Sequence, residues 1–458
     1  MSQVAPTGQV AQLSIARELS VQVLVIGAGP AGVAAAIAAA RRGCQTLLVE
    51  RHGAAGGAMA LGLNLTPVGF EPFKYWTTAT DPAGWAVQGI ARQLYDRMID
   101  QRAVVKPVWD AETCKWQLDQ MLTAAGVQVL FHASCVDAVM QGDRVTGAIV
   151  ATRAGLWRVQ AAVCIDCSGD GELFAKTGAA FEMGRPDDGR PQPMAMVAMV
   201  GGLNLPLRPD ASMAEWMAHS KALVAPVLEA AWQSGRIAPT FAGILFPRVV
   251  RGGVLPGHAW ARWLPQWADP TDPEAVAHAE IAARETLQHI VDILRAEVPG
   301  CENVAVLQTS AEVWSRGSRR LIGQEQLHHD DIAANRRQAG GIAHGCGFLE
   351  VHSATPGDPR PEKGFAWQSP ASLIAAEVDY DISYGCLLPQ SVDGLLVAGR
   401  CLSATHLAQS SARMQITCMA TGEAAGAAAA LAVRDCVAAA AVSVPLLRAD
   451  LVAGGAKI

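Results

Sequence analysis

A strand, a tight glycine turn, a helix, a second strand and an acid follow one another near the start of this chain, and that order constrains its fold more than any other feature. The run is Val21-Gln-Val-Leu-Val-Ile-Gly27-Ala-Gly29-Pro30-Ala31-Gly32, and the second apolar segment, Thr46-Leu-Leu-Val, ends at Glu50. Each glycine has its own job in such a βαβ unit. Gly27 permits the sharp turn off the strand, Gly29 lets a pyrophosphate approach the backbone, and Gly32 lets the helix lie close to the sheet. From Pro30 onward the helix start offers unpaired N–H groups and a positive dipole end to phosphate. Glu50 stands 18 residues past Gly32, where a carboxylate accepts hydrogen bonds from a ribose diol. The unit predicts an α/β chain with a Rossmann-like, dinucleotide-binding domain.

The chain has 458 residues, too many for one small domain, and two interleaved domains are expected. Thirty-six basic and 42 acidic residues give a net charge of −6 with no long basic run, which argues against a nucleic-acid partner. Residues 1–20 lack the basic and apolar regions of a signal peptide. The Ala-rich runs are interrupted by Gly and polar residues, so no membrane span is expected, and a soluble cytoplasmic protein follows. Eleven scattered cysteines, an odd number, do not look like a disulfide framework. Cys164 and Cys167 form a C-x-x-C that reads either as a redox dithiol or as a buried strand running into a glycine turn. The second reading explains the local pattern better.

Helical patterns are expected at about 84–103 and 111–125, then strands at Val127–Phe131, Val136–Met140, Val145–Thr152 and Ala161–Ile165. Residues 273–297 form a long amphipathic helix stopped by Pro299-Gly300. A small-residue helix is expected over Ser411–Leu431, after the apolar run Gly394-Leu-Leu-Val-Ala-Gly399-Arg400. Gly340–Gly347 has glycines but no preceding buried strand, so it does not read as a second nucleotide site. Ser168-Gly169-Asp170 and Gly394–Gly399 both flank the site that Gly27 opens. A nicotinamide site has no need of these late segments. FAD does, because its ribityl chain and isoalloxazine ring extend beyond the pyrophosphate.

In these motifs the sequence resembles the FAD-dependent oxidoreductases with a glutathione-reductase-type FAD domain, related to the succinate dehydrogenase and fumarate reductase flavoproteins. The resemblance runs from about residue 20 to 435. It is carried by Val25–Gly32, Gly56-Gly57, Asp166–Gly171, Arg316–Gly323, Cys386–Pro389 with Gly399–His406, and Thr417–Gly426. It implies a discontinuous FAD domain from 20–60, 111–180 and 385–435, an α+β substrate or cap domain from 61–110 and 181–384, and a mobile tail at 1–19. The expected cofactor contacts are Gly27, Gly29, Pro30, Ala31, Gly32, Glu50, Arg51, Gly56, Gly57, Val136, Ser168, Gly169, Asp170, Gly399, Arg400, Gln415 and Ile416.

A flavin accepts hydride at N5, and the protein must orient substrate, move a proton and stabilise charge near N1 and C2=O. The helix starting near Ser411 would supply the last of these through its N-terminus. His406 and Arg413 match in layout the substrate-site pair of the fumarate reductase relatives, which have Asn and Gly where this chain has Ser and Ala. Either residue reads alternatively as structural, in a hydrogen bond or an internal ion pair. Arg316, Arg319 and Arg320 form a cation cluster, and Arg319 or Arg320 is a candidate anion binder; anchoring the fold is the rival role. His352 is the second candidate base, with His344 behind it. His52 lies too close to Glu50 for the histidine tether of the dehydrogenase relatives, so FAD is expected to be non-covalent. His328-His-Asp-Asp331 reads as a helix start, not a metal site. Trp76, Trp85, Trp109, Trp260, Trp263 and Trp267 read as cap-domain core in preference to a stacking lid.

The leading expectation is hydride transfer between a small organic substrate and FAD, with the electron acceptor or donor unknown and a homodimer as the default assembly. The alternatives are an FAD-assisted isomerisation without net redox change and a flavin-carrying subunit of a larger redox assembly.

Overall fold

The computed structural model describes residues 14–66, 87–105, 108–205, 213–240, 243, 245–347, 349–358 and 379–458. Trp76 and Trp85 lie outside them. In chain order the first elements are β1 (Ile15–Ile26), α1 (Pro30–Arg41), β2 (Thr46–Val49), α2 (Gly89–Asp100), β3 (Val104–Val105), β4 (Val108–Trp109) and α3 (Ala111–Ala124). Then come β5 (Gln128–Leu130), β6 (Ser134–Gln141), β7 (Arg144–Thr152), β8 (Gly155–Asp166), β9 (Phe181–Met183), β10 (Met194–Gly201) and α4 (Met213–Gln233). These lead into β11 (Leu245–Val250), β12 (Gly253–Gln266), α5 (Pro273–Glu297), β13 (Ala305–Thr309), β14 (Arg319–Leu321) and α6 (His329–Ala333). The chain closes with β15 (Gly341–Gly345), β16 (Tyr380–Ser383), β17 (Leu395–Val397), α7 (His406–Ala412), α8 (Gln415–Asp435) and α9 (Val444–Ala453).

The main sheet runs β5-β2-β1-β8-β7-β6, with β17 also on β8. Its centre is parallel: β1 pairs with β2 and β8, and Leu395–Val397 of β17 pairs with Cys164–Asp166 of β8. Strands covered on both faces have no polar side to show. Accordingly Val23–Ile26 and Thr46–Val49 are all buried. β8 outruns the nucleotide unit, and its first half turns back antiparallel to β7. The expected strand from Ala161 therefore begins six residues earlier, at Gly155, and ends at Asp166.

α8 lies against α1 so closely that both helices need small residues. A Cβ on Gly422 would come 2.0 Å from the Ala31 carbonyl oxygen, and one on Gly426 2.1 Å from that of Ala35. This explains the Ala/Gly composition of both helices. α8 is long and apolar enough to cross a membrane, yet it is a core helix with most of its side chains buried.

A second, antiparallel sheet, β11-β12-β10-β13, carries α4 and α5 on one face and holds its own core around Met194, Met196, Trp263, Leu287 and Leu294. Trp109, Trp260 and Trp263 are fully buried, and Trp267 donates through Nε1 to the Ser353 carbonyl at 3.0 Å.

Four expectations change. Residues 15–19 are strand, paired with Leu156–Val159 of β8, and do not belong to a tail. α2, assigned to the cap by its place in the chain, packs on α1, α3 and α8. The β15–β16 pair, likewise assigned to the cap, lies on α8 and α9. The helix expected from Ser411 is two helices, broken at Arg413-Met414.

Candidate active site

The Gly27 turn sits hard against the end of β8. Gly27 has φ +90°, and a Cβ there would meet the Cys167 carbonyl oxygen at 2.7 Å. A Cβ on Gly32 would lie 1.7 Å from the Gly27 oxygen. Gly29 is the opposite case: nothing lies within 4 Å of where its Cβ would be. It opens onto a cleft of about 240 Å³, at the N-terminus of α1, whose first turn starts with Pro30 and has no side-chain cap. The Gly56-Gly57 loop closes over the turn, with Gly56 N–H donating to the Ala28 carbonyl at 2.8 Å.

Glu50 is buried at the end of β2. It accepts from Ala28 N–H at 2.7 Å and His52 N–H at 2.8 Å, one bond per oxygen. An ionised carboxylate offers about four lone pairs, so capacity remains for a ribose diol. Arg51 reaches across the cleft to Glu172 at 3.0 Å and Glu312 at 2.6 Å, and His52 Nε2 lies 3.5 Å from Glu312. Burial pushes the Glu172 carboxyl up to about 7, although Arg51 pulls it back. Burial also acts on Glu312, but His52 and Arg51 outweigh it and hold that carboxyl at about 2.

Beyond the turn, Asp166 shapes the Ser168–Gly171 loop by accepting from the backbone of Ser168, Leu173 and Phe174 and from the Ser168 hydroxyl. Asp170 in that loop pairs with Arg400 at 2.9 Å and accepts from the Ser318 hydroxyl. Gly169 makes room for this pairing, since a Cβ would lie 2.6 Å from Arg400 Nη2. Cys164 and Cys167 both lie buried and unbridged here, with burial raising both thiols, so the dithiol reading falls to the buried-strand reading.

The break between α7 and α8 brings Arg413, Met414 and Gln415 to the far end of the cleft. Arg413 Nη2 donates to the Glu350 carbonyl at 3.0 Å and to its carboxylate at 3.3 Å, and His352 Nε2 lies 3.5 Å from the other carboxylate oxygen. Burial favours a neutral Glu350, but His352 and Arg413 more than offset it and hold the carboxyl well below the usual range. Burial and then Arg316 bring His352 down to about 4, so it is a neutral imidazole at pH 7. Gln415 Nε2 donates to the Asn64 carbonyl at 2.7 Å, while its Oε1 is buried without a partner. Met194 and Trp314 add apolar wall, and Arg262 completes this end.

Of the residues expected from sequence, Gly27, Gly29, Pro30, Ala31, Glu50, Arg51, Gly57, Ser168, Gly169, Asp170, Gly399, Arg400, Arg413 and Gln415 line this one cleft. Gly32 and Gly56 support it from behind. Val136 does not line it; β6 faces it through Cys135, and Val136, the next residue, alternates to the other side and is 39% exposed. Ile416 points into the core.

The arginine cluster and His406 also move. Arg320 donates to the carbonyls of Ala404 and Gly184, each at 3.0 Å, and pairs with Glu182, so it ties β14 to its surroundings. Arg319 holds the Asp170 carbonyl at 3.1 Å and lies over the Phe181 ring. His406 is the first residue of α7, buried outside the cleft wall, and burial with Arg320 and Arg185 brings it down to about 4. His352 stands one residue behind the wall, through Glu350. His344 is far from reaction chemistry in another sense: it is clamped between Asp379 at 3.3 Å and Asp381 at 3.2 Å. His329-Asp-Asp331 begins a short helix, and no metal-holding cluster occurs among the described residues. Sequence reasoning missed Asn64, Arg262, Glu312 and Glu350. Only Glu350 had a nearby signal, two residues before His352.

A cradle open above Gly29, an acid with spare acceptor capacity, and an unpartnered amide oxygen at the far end fit a long dinucleotide with a hydrogen-bonding ring. The profile of a family described as FAD dependent oxidoreductase matches residues 22–451. Among curated proteins the chain is similar to digeranylgeranylglycerophospholipid reductase 1 of Methanopyrus kandleri, 29% identical over 171 residues, covering 36% of this chain and 44% of that protein. It is also similar to digeranylgeranylglycerophospholipid reductase of Picrophilus torridus, 26% identical over 166 residues, covering 35% and 42%. The chain thus spans less than half the length of these curated relatives. A solved structure of a geranylgeranyl bacteriochlorophyll reductase-like protein from Thermoplasma acidophilum aligns with TM-score 0.44 and 12% identity, covering 91% of this chain and 80% of that one. These matches do not assign the succinate dehydrogenase branch. Because the family profile runs through the glycine turn, the Ser168–Gly171 loop and both late segments, the chain belongs to the FAD dependent oxidoreductase family, and its cofactor is FAD.

Proposed function

We propose that this protein transfers a hydride between a small organic substrate and non-covalently held FAD. The observation that carries the reading is one continuous cleft, from Gly29 and Glu50 at one end to Arg413 and Gln415 at the other. FAD supplies the two-electron acceptor or donor. Gly29 and the α1 N-terminus would hold its phosphates, and Glu50 its ribose. The uncapped N-terminus of α8 and Gln415 would stabilise charge at the ring, which replaces the expected role of a helix beginning at Ser411.

Arg413, fixed by Glu350, is the candidate to orient substrate. A carboxylate held so far below its usual range is a weak base, so Glu350 acts as a fixed anion that positions Arg413. His352, neutral and behind the wall, backs Glu350 and so helps to position Arg413. Non-covalent attachment is supported by His52, whose ring faces Glu312. Cytoplasmic residence is part of the same reading and is supported by the free cysteines, ten of the eleven buried. A homodimer is also part of it, testable by sedimentation.

The test is an absorption spectrum of the purified protein, repeated after acid precipitation, then anaerobic reduction by dithionite. Flavin bands with FAD released into the supernatant are the expected result. A yellow pellet refutes non-covalent attachment. A colourless protein that takes up no added FAD refutes the whole proposal.

A further inference from the structure

One cation in the cleft wall, among the described residues, has no carboxylate within ion-pair distance. Arg262, on β12, lines the cleft together with Asn64, Glu350 and Arg413. Its guanidinium lies over Phe246 and Trp260, 5.5 and 5.8 Å from the ring centroids, and those rings stack on each other at 4.2 Å. Its hydrogen bond to a side chain is a long one, 3.4 Å to Asn64 Oδ1. Among the described residues it forms no ion pair within 4.0 Å.

The neighbouring charges are mostly engaged with one another. Among the described residues Glu350 is the carboxylate at this end of the wall, and Arg413 and His352 engage it. Arg316 adds a third guanidinium just behind, 3% exposed, donating to the Pro193 carbonyl. Burial first, then Arg413 and Arg262, with Glu350 opposing, push the Arg316 guanidinium down. In a cleft wall, where screening is weaker than in open water, a guanidinium held by one long hydrogen bond gains from an anionic ligand. The stacked rings restrict Arg262 before anything binds, so little side-chain freedom is lost when it engages a planar oxyanion.

We propose that Arg262 is an anion subsite that receives an oxyanion group, carboxylate or phosphate, on the substrate. The inference rests on the function proposed above, because it places substrate at the flavin end of the cleft. It makes Arg262, carried by the second sheet, a specificity-determining residue whose partner is the ligand.

The test titrates the flavin-loaded protein with acetate, benzoate, succinate and inorganic phosphate at constant ionic strength, following the flavin absorption bands. Saturable perturbation by an oxyanion is expected. Response to carboxylates alone assigns a carboxylate group; response to phosphate alone assigns a phosphorylated ligand. Arg262→Gln is expected to weaken that binding tenfold or more, with flavin content and midpoint potential unchanged. Arg262→Lys, which keeps the charge but not the fork, is expected to lose part of it and carries the test should the Gln variant not retain flavin. The proposal is overturned if no oxyanion perturbs the wild-type flavin or if Arg262→Gln binds as tightly as wild type. It is equally overturned if that variant shifts the midpoint potential while ligand affinity holds, which would assign Arg262 to the reduced ring. Protein that never carries flavin fails at the earlier step and refutes the proposed function instead.

Discussion

Glu423 is expected to make this protein lose stability as pH rises, and the size of the loss follows from where its carboxyl sits. The side chain lies on α8, 4% exposed, accepting from Ile90 N–H at 2.9 Å at the start of α2. Gly89, with φ +68°, makes room for it, since a Cβ there would lie 2.3 Å from Oε2. Burial raises the carboxyl from 4.5 to about 7, against the pull of the Ile90 N–H and of Arg42 and Arg41. Between those two values the folded protein keeps a proton that the unfolded chain has already released. A neutral buried acid therefore contributes fully below pH 4.5, and its contribution fades as pH rises through 7. At about 1.4 kcal/mol per tenfold change in proton affinity, the full effect is about 3 kcal/mol. Glu423→Gln keeps an acceptor for Ile90 and removes the titration. Urea denaturation of both proteins at pH 5 and pH 8 isolates the effect, because other titrating groups such as Glu172 cancel in the difference. The variant is expected to gain on wild type at pH 8 by up to about 3 kcal/mol relative to pH 5. Identical pH slopes for the two proteins would refute the reasoning.

Other substitutions separate holding the fold from holding FAD. Gly29→Val adds a side chain where nothing lies within 4 Å, so apoprotein melting should change little while bound flavin falls at least tenfold by absorbance. Gly422→Ala forces α8 off α1 and should cost about 1–3 kcal/mol or more in thermal or urea unfolding. Glu350→Gln leaves Arg413 without its carboxylate and should cost about 3–5 kcal/mol, with turnover reduced even at saturating substrate. The neutral state of His352 predicts no inflection from this residue between pH 6 and 9 in the rate of flavin reduction, measured by stopped flow.

The nucleotide unit was readable because its constraints are local. Gly27, Gly29 and Gly32 answer to one turn and one helix, and Glu50 closes the next strand, so a short stretch of sequence carries the whole argument. The far end of the cleft was less readable for a physical reason. Arg413, Glu350, Asn64 and Arg262 come from four separate elements, and nothing in the residues around Arg262 marks it as facing Glu350. Clustering in sequence misled at Arg319-Arg320, where strand pairing with Glu182 and Met183 sends both guanidinium groups to anchor neighbouring loops. The break at Arg413-Met414 was hidden because both sides of it are rich in helix-forming residues.

The order of strands in the main sheet also sets when a binding site can exist during synthesis. β8 cannot pair with β1 until residues 155–166 have been made, and β17, whose end leads to Gly399 and Arg400, arrives far later in the chain. α8, the partner of α1, follows later still. Pairings between such distant segments form slowly and leave apolar edges uncovered meanwhile. The N-terminal portion of a nascent chain therefore carries the glycine turn but not the loops that would retain a flavin. The cleft-lining residues from Gly399 to Gln415 are thus made last, and a chain halted before β17 lacks them and leaves the end of β8 unpaired on that side.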